Sequence, residues 1–141
     1  MKKIGIFFLS LLLLVGCGNS KDEESNRLDE LKEIFAADPF ETDFSNVEDD
    51  AETSIVYIMD TENSCTISSY LNKGEVFLIA YYDTKVGSEG YYTIYTTSDK
   101  ENKLSDDQKK QKESFDSWEK SLSIDVDDLK LYIEDYYKEN K

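Results

Sequence analysis

Carboxylates are the most abundant groups in this sequence that could act on a substrate. The chain has 31 Asp and Glu residues and no His. Two carboxylates could hydrolyse a glycoside, one as acid and the other as nucleophile or base, but with so many acids close pairs arise from composition alone. The lack of His excludes Ser-His-Asp catalysis, Cys-His catalysis and mixed His/Cys zinc sites. We therefore predict no catalytic residue, no metal site and no cofactor, and keep a small enzyme as the alternative.

Two acidic clusters have the residue types that bind calcium. They are Asp125-Val126-Asp127-Asp128 and Glu48-Asp49-Asp50. Neither matches the twelve-residue EF-hand loop, which needs Gly at its sixth position and Glu at its twelfth. Acidic residues also suit a helix N-terminus, so we interpret the first cluster as a helix start and the second as a solvated loop. Cation binding is kept as an alternative.

The first 17 residues have the three parts of a secretory signal. Met1-Lys2-Lys3 is basic, residues 4–15 are apolar except at Gly5 and Ser10, and Gly16-Cys17 follows. This order is typical of a signal peptide. The apolar run is shorter than the roughly 20 residues that a membrane-spanning helix needs, so we do not expect a transmembrane anchor here.

Leu14-Val15-Gly16-Cys17 resembles a lipobox, the processing signal of bacterial lipoproteins. The resemblance covers residues 1–17 only. It implies that Leu14, Val15 and Gly16 are recognised by the signal peptidase, and that Cys17 receives a palmitate-type diacylglyceryl thioether and becomes the mature N-terminus. Two acyl chains hold a protein durably at a membrane. The expected location is therefore the cell membrane, on its extracytoplasmic face.

The charge of the chain restricts its partners. The formal net charge is -15, and without residues 1–16 it becomes -17, since only Lys2 and Lys3 are lost. Nucleic-acid binding depends on Lys and Arg that neutralise phosphates, so we predict no nucleic-acid partner. A surface this acidic attracts cationic partners with a strength that depends on salt, although the charge could also serve solubility alone.

With Cys17 lipidated, Cys65 is the only thiol left in the sequence. It lies in Ser64-Cys65-Thr66-Ile67, where polar and apolar residues alternate as in a strand. We interpret Cys65 as a small buried hydrophobic residue, with a reactive thiol or an intermolecular bridge as the alternatives.

The periodicity of the mature chain predicts a single acidic α+β domain over residues 26–141, after a lipidated flexible tether over residues 17–25. Leu28, Leu31, Ile34 and Phe35 share the spacing of one helix face, and Pro39 ends that helix. Residues 40–53 are predicted to be a loop. Four runs with the two-residue alternation of strands follow, and their short connections favour antiparallel pairing. The runs are residues 55–59, 65–71, 75–83 and 91–97, the third of which we place at the centre.

Two helices are predicted after the strands. Ser105 and Gln108 have the spacing of a capping box, and the acidic run at Asp125 marks a second helix start. The expected fold is an N-terminal helix, a four-stranded antiparallel meander and two C-terminal helices. Helices packed on one face of such a sheet leave its other face partly exposed.

A partner-binding surface is expected on the last strand. Tyr91, Thr93, Tyr95 and Thr97 alternate there, and tyrosine offers contact area together with a hydrogen bond. The predicted function is a membrane-anchored, non-catalytic binding module for an envelope protein or a cationic peptide. Lipoproteins that protect their own cell, as bacteriocin immunity proteins or conjugative exclusion factors, are similar in plan. The alternative is a small envelope enzyme or a cation-binding lipoprotein.

Overall fold

The computed structural model describes residues 20–46, 52–86, 90–98 and 103–141. In these ranges the chain forms three α-helices, five β-strands and one short 3-10 turn, Thr84–Val86. The helices are α1 (Ser20–Ala36), α2 (Asp106–Leu122) and α3 (Val126–Asn140). The strands are β1 (Phe40–Asn46), β2 (Thr53–Asp60), β3 (Cys65–Asn72), β4 (Glu75–Asp83) and β5 (Tyr92–Thr96).

The five strands of this part of the chain form one antiparallel sheet in the order β1-β2-β3-β4-β5. Every strand therefore pairs with its neighbour in sequence, as short connections require. The α+β class, the N-terminal helix, the antiparallel meander and the two C-terminal helices are confirmed. The predicted number of four strands was wrong.

The additional strand is β1, in the segment predicted as a loop. Its seven residues pair with β2, from Phe40 opposite Asp60 to Asn46 opposite Ser54. Phe40 and Phe44 pack against the core, whereas Glu41 and Asp43 between them are exposed. Carboxylates lower strand propensity, and for this reason the alternation of apolar and acidic residues in β1 was not recognised as a strand. On an edge strand they have a use, because exposed charges discourage pairing with other chains.

The third predicted run corresponds to β4, an interior strand that pairs with β3 on one side and β5 on the other, whereas the middle strand of the five is β3. That run is apolar on both faces, which suggested a central strand. The structure gives another reason for the consecutive apolar residues of this run. A register irregularity between Tyr70 and Leu71 leaves both Phe77 and Leu78 opposite Tyr70. A bulge of this kind places neighbouring side chains on the same face.

Local capping signals explain where α2 and α3 begin. Ser105 and Gln108 form a capping box at α2, and Asp125 and Asp128 form one at α3. The helix α1 begins at Ser20, so residues 20–25, which we expected in the flexible tether, are helical. In the described ranges no helix combines the length and hydropathy that a membrane crossing requires.

All three helices pack on one face of the sheet. Leu31 of α1, Phe115 of α2 and Leu129 of α3 belong to one buried cluster with Val56 and Ile79 of the strands. Burying apolar area at about 25 cal/mol per Å² is the main stabilising term in such a core. The sheet therefore has a helix-covered face and an opposite one, which we call the outer face.

Candidate binding surface

Side chains of the outer face form three rows across the sheet. Residues that are directly opposite in an antiparallel ladder lie on the same face, so the strand register defines each row. The rows are Glu41-Met59-Thr66-Tyr82, Asp43-Tyr57-Ser68-Ala80-Thr93 and Ser45-Ile55-Tyr70-Leu78-Thr96.

Aromatic and aliphatic side chains occupy much of this face and are partly exposed. They are Ile55, Tyr57, Met59, Tyr70, Phe77, Leu78 and Tyr82. The rings of Tyr70 and Phe77 lie 6.4 Å apart between centroids, with an angle of 49° between their planes. Neighbouring apolar side chains that remain partly exposed are typical of interaction surfaces in soluble proteins. The outer face is therefore the candidate binding surface of the described part of the chain.

The acidic edge of this surface lies on β1. Glu41 begins the first row opposite Met59, and Asp43 begins the second opposite Tyr57. Both carboxylates are exposed. A ligand that covered the apolar rows would meet negative charge along this edge, and positive groups there would be favoured.

The four predicted contact residues do not share one face. Thr93 lies opposite Ala80 on the outer face, whereas Tyr95 lies opposite Ile79, which is fully buried under the helices. Tyr91 precedes β5 and is 56% exposed. Thr97 follows β5, and its backbone N–H donates to Phe77 O across 3.1 Å.

A second register irregularity, between Ile79 and Ala80, explains the difference. It adds one residue to β5, so the alternation of a regular strand does not extend from Thr93 to Tyr95. Tyr95 consequently packs against the core, with Lys130 Nζ of α3 4.5 Å from its ring centroid. Tyr91 and Tyr95 thus have different surroundings. The tyrosines of the outer face are instead Tyr57, Tyr70 and Tyr82.

Another cluster of chemically capable residues lies under the helices, where Asp60, Cys65 and Asp83 occupy adjacent strands. Asp83 Oδ2 accepts from Ser114 Oγ at 2.6 Å, and Asp83 Oδ1 accepts from Lys85 N at 2.8 Å. Gln111 bonds to both the N–H and the carbonyl of Asp83, at 2.8 and 3.1 Å. These carboxylates are engaged in fixing α2 to the sheet, which is a structural role.

Cys65 is not an activated nucleophile. Its side chain is buried, and burial raises the pKa of the thiol to about 12. The nucleophilic form of cysteine is the thiolate, so a raised pKa suppresses reaction at neutral pH. The interpretation of Cys65 as a small buried residue agrees with this environment.

The acidic cluster at residues 125–128 serves the start of α3. Asp125 and Asp128 bond to each other's backbone N–H groups at 2.9 and 3.0 Å. Asp128 also accepts two hydrogen bonds from Arg27, which lower the pKa of its carboxyl group. Within the described ranges, no group of three or more Cys, Asp and Glu side chains is arranged to hold a metal ion. The second cluster, Glu48-Asp49-Asp50, lies outside the described residues.

The predicted lipidation site also lies outside the described residues. This applies to Cys17 and to the peptidase recognition residues Leu14, Val15 and Gly16.

Comparison with known proteins finds no match: no protein-family model, no curated protein and no solved structure matches this chain.

The residues of the outer face could have been found from the alternation of the predicted strands. Tyr57 and Tyr70 lie in runs whose two-residue period was recognised, and each run has one set of side chains under the helices and one set outside. The missing information was the position of each strand in the sheet. That position depends on contacts between distant segments, such as Tyr57 opposite Ser68.

Proposed function

We propose that this protein is a lipid-anchored, extracytoplasmic binding module whose outer sheet face takes a cationic, amphipathic peptide or protein segment. The observation that carries the proposal is the apolar surface around Tyr57 and Tyr70, with carboxylates at its β1 edge. Aromatic rings give contact area at low entropy cost and retain a hydroxyl for hydrogen bonding. These are features of a recognition surface.

Electrostatics favours a positively charged partner. The full chain has a formal charge of -15, which accelerates encounter with cations and repels anionic partners. Glu41 and Asp43 place part of that charge beside the apolar rows. A segment with alternating basic and apolar residues would match both features. Self-protection against a cationic bacteriocin is the biological role that this chemistry fits.

The lipid anchor in the proposal depends on Cys17 and on the lipobox resemblance. It would hold the binding module at the outer surface of the cell membrane, where a membrane-active peptide arrives. Metabolic labelling with a palmitate analogue tests this part. We expect label in the wild-type chain and none in Cys17→Ala, with Cys65→Ser as the matched control that keeps the label. Label in Cys17→Ala would refute lipidation at that residue.

A defined probe tests the binding surface. A synthetic peptide of alternating Lys and Leu residues is titrated into the full-length chain, and a peptide of alternating Glu and Leu serves as control. We expect binding of the first peptide only. The double variant Tyr57→Ser, Tyr70→Ser should weaken it at least about tenfold, which corresponds to about 1.4 kcal/mol.

Tyr91→Ser is the matched tyrosine control, because Tyr91 is exposed but lies before β5 and outside the three rows. It should bind like the wild type, and added salt should weaken binding in both. Equal affinity of the double variant and the wild type would rule out the outer face as the binding surface. Equal affinity for the two peptides would rule out charge as the basis of selection.

A further inference from the structure

The helix α1 begins close to the predicted lipidation site. Its first residue is Ser20, and only Gly18 and Asn19 separate it from Cys17. An extended chain advances by at most about 3.6 Å per residue, so Cys17 and Ser20 lie no more than about 11 Å apart. The flexible tether predicted over residues 17–25 would let the domain turn freely on its anchor. A link this short restricts that rotation.

Two buried side chains fix α1 to the helix-covered face of the sheet. Leu31 and Phe35 belong to the common core. The ring centroid of Phe35 lies 4.7 Å from that of Tyr132 on α3 and 5.3 Å from that of Phe40 on β1. These contacts place α1 in the layer of helices, on the side of the sheet opposite to the outer face.

Ion pairs join α1 to α3 at two positions five residues apart. Arg27 Nη2 donates to Asp128 Oδ2 at 2.8 Å. Lys32 Nζ lies 3.0 Å from Asp135 Oδ2 and 2.8 Å from Glu139 Oε1. Because both positions contact the same neighbouring helix, α1 has a fixed direction relative to the domain.

The start of α1 projects from this contact towards the anchor. Ser20 lies seven residues before Arg27, which corresponds to about 10 Å along a helix axis. Residues 23–26 are exposed. A helix that lies in the layer of helices at Arg27 and Leu31 continues in that layer towards its N-terminus. The attachment point of the lipid is therefore on the helix side of the sheet.

We propose that α1 is a rigid spacer that holds the domain on the membrane in one orientation. Its N-terminal turns contact the lipid headgroups, and the outer face points away from them. This inference rests on the lipid anchor at Cys17 that belongs to the proposed function. It has a consequence for binding: a partner that approaches from outside the cell reaches Tyr57 and Tyr70 without displacing lipid.

The charge of the first turns shows that the covalent link, and not attraction, brings them to the membrane. Residues 21–24 are Lys-Asp-Glu-Glu. Carboxylates suit a helix N-terminus, but an anionic lipid surface attracts basic segments and repels acidic ones. The unlipidated variant Cys17→Ala should therefore not sediment with phosphatidylcholine or phosphatidylglycerol vesicles.

Single fluorescent labels measure the orientation. The lipidated chain is reconstituted into phosphatidylcholine vesicles that contain a lipid with a nitroxide on its headgroup, which quenches nearby fluorophores. Nitrobenzoxadiazole is attached to Ser25→Cys on α1 or to Ser68→Cys on the outer face, and the buried Cys65 does not compete for the reagent. The headgroup layer is only about 5 to 8 Å thick on each side, so the Ser25 label should lose at least about twice the fraction of emission that the Ser68 label loses.

An insertion tests whether the short link causes this orientation. Twelve Gly and Ser residues placed between Asn19 and Ser20 form a coil with an end-to-end distance of about 19 Å, on which the domain can rotate. The two labels should then be quenched equally. The same twelve residues added after Lys141 are the matched control and should preserve the difference between the labels.

Equal quenching at Ser25 and Ser68 in the lipidated chain without an insertion would overturn the fixed orientation while leaving the anchor in place. A difference that survives the insertion before Ser20 would overturn α1 as its cause. Thr66→Cys, in the neighbouring row of the outer face, repeats the measurement if the label at Ser68 perturbs the fold. A chain without lipid at Cys17 would overturn this proposal together with the anchor, and palmitate labelling detects that outcome separately.

Discussion

The indole N–H of Trp118 donates to Asp60 Oδ2 across 3.0 Å in the interior of the protein. Asp60 Oδ2 also accepts from Asn63 Nδ2 at 2.8 Å, while its Oδ1 accepts from the N–H groups of Glu62 and Asn63 at 3.1 and 3.0 Å. A carboxylate has about four acceptor positions, and all of them are used. One buried side chain thereby joins the β2–β3 turn to α2.

Asp60→Asn should destabilise the fold. The substituted amide presents N–H donors where the carboxylate accepted hydrogen bonds, so two donors face each other in a buried site. We expect a loss of about 2–3 kcal/mol in the free energy of unfolding. Urea titration followed by the fluorescence of Trp118, the single tryptophan, measures it.

Asp116→Asn is the matched control, because Asp116 is an exposed carboxylate on α2. Its unfolding midpoint should remain within error of the wild type. A midpoint for Asp60→Asn as high as that of the control would contradict a structural role for the Asp60 hydrogen bonds.

Arg27→Gln should lower stability in a pH-dependent way. Arg27 Nε and Nη2 bond to the two oxygens of Asp128 at 3.0 and 2.8 Å, and this contact lowers the pKa of the Asp128 carboxyl group. A carboxyl group whose pKa is lowered in the folded state stabilises the fold at pH values above its unfolded-state pKa of about 3.9. This stabilisation is lost as the pH falls through the folded-state pKa. We expect the variant to lose about 1–2 kcal/mol at pH 7, and the loss to shrink below about pH 4.

Urea titrations at pH 7, 5 and 3 follow this difference. Lys112→Gln is the control, because the pair Lys112–Asp116 at 2.6 Å is solvent-exposed on α2 and should contribute less. A wild-type advantage over Arg27→Gln that is the same at pH 3 and pH 7 would show that the charge of Asp128 is not its source.

Features set by neighbouring residues were predictable from the sequence, and features set by distant contacts were not. The Ser105–Gln108 and Asp125–Asp128 caps join residues three positions apart, so the chain itself specifies them. The pairing of Phe44 with Val56 depends on an edge position that no local signal reveals. The direction of Tyr95 depends on one extra residue of β5 opposite Ile79 and Ala80, and one added residue reverses every later side chain.

Ser69→Ala should maintain or raise stability. Ser69 is fully buried between Val56 and Ile79, and its hydroxyl has no hydrogen-bond partner among the described residues. A buried hydroxyl without a partner costs about 1–3 kcal/mol in desolvation. Thermal unfolding by circular dichroism should show an equal or higher Tm for the variant.

Ser114→Ala is the contrasting control, because Ser114 Oγ donates to Asp83 Oδ2 at 2.6 Å and lies 2.7 Å from the Tyr81 hydroxyl. Its Tm should fall, since two buried partners lose a hydrogen bond. A larger fall for Ser69→Ala than for Ser114→Ala would mean that the Ser69 hydroxyl is satisfied in solution.

The thiol of Cys65 is buried. Burial raises its pKa to about 12, so almost no thiolate is present at pH 8. A thiol reagent such as dithionitrobenzoate should therefore detect Cys65 only after unfolding in urea. Cys65→Ser is the control that subtracts any signal from Cys17. A native-state signal that is larger in the wild type than in Cys65→Ser would show that the thiol is accessible and ionised.

Because the pKa of Cys65 is raised in the folded state, the contribution of this thiol to the free energy of unfolding decreases at alkaline pH. Because the folded-state pKa lies above the unfolded value of about 8.5, the protonated thiol contributes fully to stability below that pH. Its contribution is lost as the pH rises towards 12. The stability difference between wild type and Cys65→Ser, measured by urea titration, should thus be constant from pH 6 to 8 and change in favour of the variant at pH 9 to 10. A difference that stays constant across this range would mean that Cys65 ionises equally easily in the folded and unfolded chain. That result would contradict the raised pKa that burial of the thiol causes.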